Sequence, residues 1–202
     1  MTASTRIAPV VLCLALGGSL ATAQTTPRPP EPLLGRFHTW LKGGSDDLNA
    51  EASRAWGTDH ERYLALEMYH GSPTGLYLGG ELGHSGAGKG TTDSGNPVRD
   101  LDFWWLELNE KIAFDAHHGL TFDVGLGLAL FYVEGQEVTT QGGQEFTDPL
   151  ADVGLGAQVL GDFNWRRRHL LLGLDARYQQ AFDVININYS NLRLGAHLGL
   201  VF

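Results

Sequence analysis

The loudest chemical pattern in the chain is Gly83-His84-Ser85-Gly86-Ala87-Gly88-Lys89-Gly90-Thr91. Glycines around a lysine are how a backbone loop wraps phosphate, with N–H groups aimed inward and the ammonium meeting the charge. Such a loop needs a helix directly behind it. Here Thr92-Asp93-Ser94-Gly95-Asn96-Pro97 follows, a run of turn formers. A Gly-rich surface loop is therefore expected, with no nucleotide. His84 beside Ser85 offers a base and a hydroxyl, but neighbours in a strand point to opposite faces. Asp115-Ala116-His117-His118 contains metal-ligand types. Adjacent histidines on a turn rarely converge on one ion without further ligands, so a solvated turn is expected. Arg166-Arg167-Arg168 suits either anionic headgroups or water. No catalytic, cofactor or metal site is predicted.

The elements that must position these residues follow from period-two alternation. At the C-terminus Leu192, Leu194, Ala196, Leu198, Leu200 and Phe202 fall on one strand face, and Arg193, Gly195, His197, Gly199 and Val201 on the other. The same alternation predicts strands over about 63–70, 76–84, 101–114, 120–133, 150–163 and 169–181. Glu110 interrupts the apolar face of 101–114, which suggests a bulge. Residues 35–43 are the least regular. Leu34, Phe37 and Leu41 suit a first strand or a short amphipathic helix.

Length and leader bound the class. The 202 residues suffice for one barrel. Arg6, the apolar run from Ile7 to Leu20 and the small-x-small Ala21-Thr22-Ala23 read as a removable export signal, residues 1–23. The single cysteine, Cys13, lies inside it, so the mature chain uses neither disulfides nor thiolate metal sites. Loss of Arg6, the only charged residue of the leader, takes the formal charge from −9 to −10, which disfavours nucleic acid as a partner. Residues 24–34 are Pro-rich and extended, and 35–202 form the barrel. No later apolar run reaches helix-spanning length, so a membrane span must be built of strands.

The connections alternate. Residues 71–74, 115–119 and 164–168 are short, whereas 44–61, 85–100 and 134–149 are long and polar. The two outer long stretches are acidic, with Asp46, Asp47, Glu51, Asp59 and Glu61 in one and Glu134, Glu137, Glu145 and Asp148 in the other. Aromatics gather near strand ends: Trp104, Tyr132, Tyr178 and Phe182 toward the long loops, and Phe114, Phe122, Phe163, Trp165 and Phe202 toward the short turns. Apolar residues outside, Gly-rich polar residues inside and two aromatic girdles describe an all-β, eight-stranded antiparallel transmembrane barrel.

This pattern resembles the small bacterial outer-membrane barrels of the OmpA and OmpX type. The resemblance implies export to the outer membrane of a Gram-negative bacterium, contact with lipid and lipopolysaccharide, and Phe202 as the signal read by the barrel assembly machinery. The stretch Phe122-Asp123-Val124-Gly125-Leu126-Gly127-Leu128-Ala129-Leu130-Phe131 also resembles a strand of PagL-type lipid A deacylases. That family carries a His-x-Ser pair on its next-to-last strand, where this chain has Arg177 and Gln179. Arg is no neutral base and Gln no nucleophile, so the activity is not carried over. A structural or surface-interacting barrel is the expectation; a lipid-modifying enzyme and a narrow channel are the alternatives.

The register turns Glu67, Glu81, Glu107, Lys111, Asp123, Asp162, Asp175, Arg177 and Arg193 into the lumen, with His197 beside them. Charges of both signs in so small a space must pair, and Asp175, Arg177 and Arg193 are expected in one network. If the terminal strand carries an assembly signal, deleting Phe202 impairs insertion into outer membranes more than replacing Thr92 does. Fractionation of the two variants checks this, and equal assembly removes the case for the signal.

Overall fold

The computed structural model describes residues 33–48, 60–72, 74–86, 89–92, 95–184 and 187–202. The leader and most of the Pro-rich lead-in lie outside these. The described residues form nine strands and no helix: β1 Phe37–Leu48, β2 His60–Gly71, β3 Leu76–Gly86, β4 Lys89–Thr91, β5 Pro97–His117, β6 Leu120–Gln141, β7 Gln144–Arg167, β8 Leu170–Val184 and β9 Ile187–Val201. Eight of them pair antiparallel in a ring that β3–β5 pairing closes, while β4 is a short flap on the upper part of β5. Closure leaves the ring without an edge.

The ring agrees with the expected one, and several details correct it. The expected first strand is present and longer than read, Phe37–Leu48, zipped between β2 and β9, and the alternative helix is not formed. Glu110 sits in no bulge: β5 and β6 stay in register from Asp102 to Asp115, and Glu110 points outward. The stretch 134–149 is no loop. β6 and β7 remain paired as far as Gln141 and Gln144, turning on Gly142 and Gly143 at φ 61° and 84°. Two left-handed residues suit a tight hairpin turn, and glycine adopts them without strain. The phosphate-loop look-alike is split as well. Gly83 to Gly86 end β3, and Lys89–Thr91 pairs with Pro97–Arg99. Among the described residues no helix follows Lys89, although a phosphate loop requires one there.

The outer surface is an aliphatic belt. Leu126, Leu128 and Leu155 are each 66% exposed, and outward leucines line every long strand of the ring. The aromatics bound it as expected. The inner face is not built of small residues alone. Trp40, Tyr63, Tyr69, Tyr77, Phe103, Trp105 and Phe131 all point inward and are buried. Glycines make room for them. Trp105 lies opposite Gly83 and Trp40 opposite Gly199 across a strand pair. A Cβ on Gly83 would stand 2.1 Å from the indole of Trp105.

These rings form two apolar layers. Tyr63, Ala65, Val98, Leu101, Phe103, Trp105, Ala129, Phe131, Val133 and Ala181 pack toward the long-loop end. Leu34, Trp40, Tyr69, Tyr77, Ala113, Leu171 and Val201 pack toward the short-turn end. The lower layer includes the end of the Pro-rich lead-in, residues 33 and 34. Leu34 is fully buried, its N–H donating to the Tyr77 hydroxyl at 2.8 Å, and the Arg166 guanidinium donates to the Leu33 carbonyl at 2.9 Å. Arg166 thus holds a floor plug rather than facing headgroups.

Gly83→Val should lower stability by about 1–3 kcal/mol through overpacking against Trp105. Gly43→Ala, whose Cβ would meet only an ordinary 3.5 Å contact, should leave it unchanged. Urea unfolding of the two variants in lipid vesicles measures the difference.

Candidate functional site

The chemistry of the chain is concentrated between the two apolar layers. All nine predicted interior residues are buried there: Glu67, Glu81, Glu107, Lys111, Asp123, Asp162, Asp175, Arg177 and Arg193. Strand register arranges the acids in two rows. Glu67, Glu81 and Glu107 are direct cross-strand partners on β2, β3 and β5. Asp123, Asp162 and Asp175 are direct partners on β6, β7 and β8. Like charges facing each other across strands repel, so each row depends on cations reaching it across the lumen.

Arg177 on β8 meets the whole glutamate row. Its Nη1 lies 3.0 Å from Glu81 and 2.6 Å from Glu107, and its Nη2 pairs with Glu67. Arg193 on β9 approaches Glu81 at 3.2 Å and also pairs with Glu107. Lys42 on β1 stands 2.6 Å from Glu67 and 3.4 Å from Glu81. Neutral donors complete the row. Trp105 donates to Glu81 at 2.9 Å, Tyr69 to Glu67 at 2.7 Å, and Gln158 to Glu107 at 2.6 Å.

The aspartate row is held by Lys111, 3.1 Å from Asp123 and 3.0 Å from Asp162. The Lys111 ammonium also rests on two ring faces, 3.7 Å from the Trp40 centroid and 4.0 Å from that of Tyr69, a favourable cation–π site away from water. Asn164 donates to Asp123 at 3.1 Å. Asp175 departs from the expected pairing with the arginines. Its partners are the Tyr63 hydroxyl at 3.1 Å and His197 at 3.4 Å, and His197 stacks flat on Trp40 at 4.2 Å.

Three interior charged residues escaped the sequence reading. Lys42 lay in the doubtful first strand. Asp46 and Glu61 were assigned to a solvated acidic loop, yet both are buried and face each other on β1 and β2. Asn191 donates to Asp46 at 2.5 Å and Ser85 to Glu61 at 2.7 Å. Glu51 and Asp59 of that loop lie outside the described residues. Among the described residues the lumen therefore buries eight carboxylates against four Lys or Arg side chains. Each cation must serve more than one acid.

The other candidates separate. Ser85 points inward to Glu61, while His84 points outward, 3.0 Å from Asp102 and tilted against the Trp104 ring at 4.3 Å. Asp115 is spent on its own turn, accepting from the His117 N–H at 2.9 Å. Arg177 and Gln179, at the positions of the deacylase pair, both bond to Glu107. Phe202 sits on the outer face at the short-turn rim, its N–H donating to the Phe37 carbonyl at 2.8 Å.

Arg177→Met should cost about 3–5 kcal/mol, because it strands buried carboxylates. Adding Glu107→Gln should recover part of that loss. Unfolding midpoints of the single and double variants form the cycle. An unchanged single variant would mean that the glutamate row does not rely on this guanidinium.

No family model and no curated protein matches the chain. Solved structures do match in fold. Neisserial surface protein A aligns at a TM-score of 0.62 with 13% identity, covering 83% of this chain and 98% of its own. Ail, the attachment invasion locus protein of Yersinia pestis, aligns at 0.47 with 14% identity, covering 81% and 97%. The N-terminal β-barrel domain of Pseudomonas aeruginosa OprF aligns at 0.40 with 8% identity, covering 80% and 96%. The chain has the fold of the small eight-stranded outer-membrane barrels of the OmpA and OmpX type.

Proposed function

We propose that this chain is an integral outer-membrane barrel with a structural or surface-interacting role and no intrinsic catalysis. The observation that carries the reading is the contrast between a filled lumen and a projecting rim. Ion pairs cross-link the middle of the barrel, and layers of aromatic and aliphatic side chains pack above and below them. Outside, β6 continues nine residues beyond Tyr132, from the upper girdle to Gln141, roughly 30 Å of strand. β7 keeps pairing with β6 there, but pairs with β8 only from Leu155 downward. Its upper edge carries Glu145, Asp148, Pro149 and Asp152, the residue types that keep an edge from recruiting stray strands. Glu137 ties the adjoining loop to this hairpin, accepting from Asn96 at 2.7 Å and Thr92 at 3.2 Å. A braced acidic projection on a sealed barrel suits presentation at a surface, with lipid and lipopolysaccharide around the belt and rim.

The absence of catalysis is supported by where the reactive side chains are spent. His84 and Ser85 are on opposite faces, and His197 is enclosed between Trp40, Asn164 and Asp175.

Planar-bilayer recording of the purified protein should give at most small, unstable conductance. Incubation with lipopolysaccharide should release no fatty acid, and a protease site placed at Gly142–Gly143 should be cut in intact cells. Stable large pores would replace this reading with a channel, released acyl chains with a lipid-modifying enzyme, and a protected hairpin would remove its surface role.

A further inference from the structure

Glu110 has no partner among the described residues and occupies the wrong solvent. On β5 the outward residues run Trp104, Leu106, Leu108, Glu110, Ile112 and Phe114. The carboxyl thus lies between the two aromatic girdles, four residues above the lower one. That is roughly 13 Å along the strand, beyond the reach of a glutamate side chain. Its cross-strand neighbours are Leu78 on β3 and Leu126 on β6, 57% and 66% exposed. Every outward residue of β3 from Leu76 to Leu82 and of β6 from Phe122 to Tyr132 is apolar or glycine. The nearest outward titratable group on the same row is His70, two strands away across Leu78, about 10 Å by strand spacing. Lys111, next in the chain, points into the lumen. Glu110 forms no hydrogen bond or ion pair with any described residue.

A lone ionisable group facing hydrocarbon must find a hydrogen-bond partner in another molecule. We infer that the outward face of β3 and β5 is a self-association surface, on which Glu110 pairs with Glu110 of a second copy. The choice of a second copy rests on complementarity. Two barrels inserted in the same direction are related by a twofold axis along the membrane normal, so each residue near that axis meets itself at equal depth. A protonated carboxyl is both donor and acceptor, and two such groups satisfy each other without any cation. Gly80, the cross-strand partner of Leu108, lies on the same face, and small residues let two backbones approach closely. Neither β3 nor β6 offers an outward charge in the belt as an alternative partner.

Sedimentation equilibrium of the folded protein in detergent, with single-cysteine cross-linking in native membranes in a Cys13→Ser background, tests the inference. The unmodified chain should be dimeric. Glu110→Gln, whose amide also pairs with itself, should remain dimeric. Glu110→Leu should associate at least tenfold more weakly. Leu108→Cys and Ile112→Cys should form disulfide dimers, whereas Leu155→Cys on β7 should not. Heat-modifiable migration confirms that each variant is folded; should Glu110→Leu fail that check, the Leu108→Cys cross-link decides. A monomeric unmodified protein, undiminished association of folded Glu110→Leu, or cross-links only to a chain of different mass would overturn the inference.

Discussion

Rows of like charge facing one another across strands are the constraint on which this barrel depends. Glu67, Glu81 and Glu107 cannot tolerate their register unless guanidinium and ammonium groups arrive from the other side. The same holds for Asp123 and Asp162 with Lys111, while Asp175 at the end of that row is met by Tyr63 and His197. The demand fixes strand register, because a one-residue slip would send a whole row into lipid. It also fixes which strands must be close: β8 and β9 supply what β2, β3 and β5 lack. The aromatic layers above and below exclude water from these pairs, which strengthens each interaction and makes a missing partner more costly.

Much of this was legible in the sequence, because a membrane barrel sets its two faces against different solvents. Period-two alternation in 120–133 or 169–181 settles which residues enter the lumen, and all nine interior charges predicted that way lie there. The signal failed where the contrast between solvents fades. In 37–48 the outward positions include Thr39, Gly43 and Ser45, so alternation weakened and Lys42 was missed. Asp46 and Glu61 have the composition of a solvated loop, and only pairing reveals that they face inward. Above the belt both faces of β6 and β7 are mostly polar, with Val138 and Phe146 as isolated apolar residues. Residues 134–149 therefore lose their alternation while keeping their ladder.

The buried rings were hidden for a different reason. A glycine in a strand says that something large approaches, but not what. Once the register is known, Gly83 and Gly199 fall opposite Trp105 and Trp40. The Gly-rich inner face then reads as a mould for aromatic side chains rather than a sign of an empty one. Glu110 is the converse case. Alternation alone places it outward, and the ladder runs through it without the bulge its charge suggests.

The distance along the chain between the charged partners bears on how the barrel is made. Glu67 and Arg177 are 110 residues apart, and Lys111 and Asp162 are 51. No single hairpin contains both halves of the glutamate network, so a partly assembled sheet would present rows of bare carboxylates. Such an intermediate must keep those rows hydrated, which it cannot do while lying open in hydrocarbon. Ring closure and charge pairing are thus coupled, because the glutamate row on β2, β3 and β5 meets its guanidinium groups only when β8 and β9 have joined the ring.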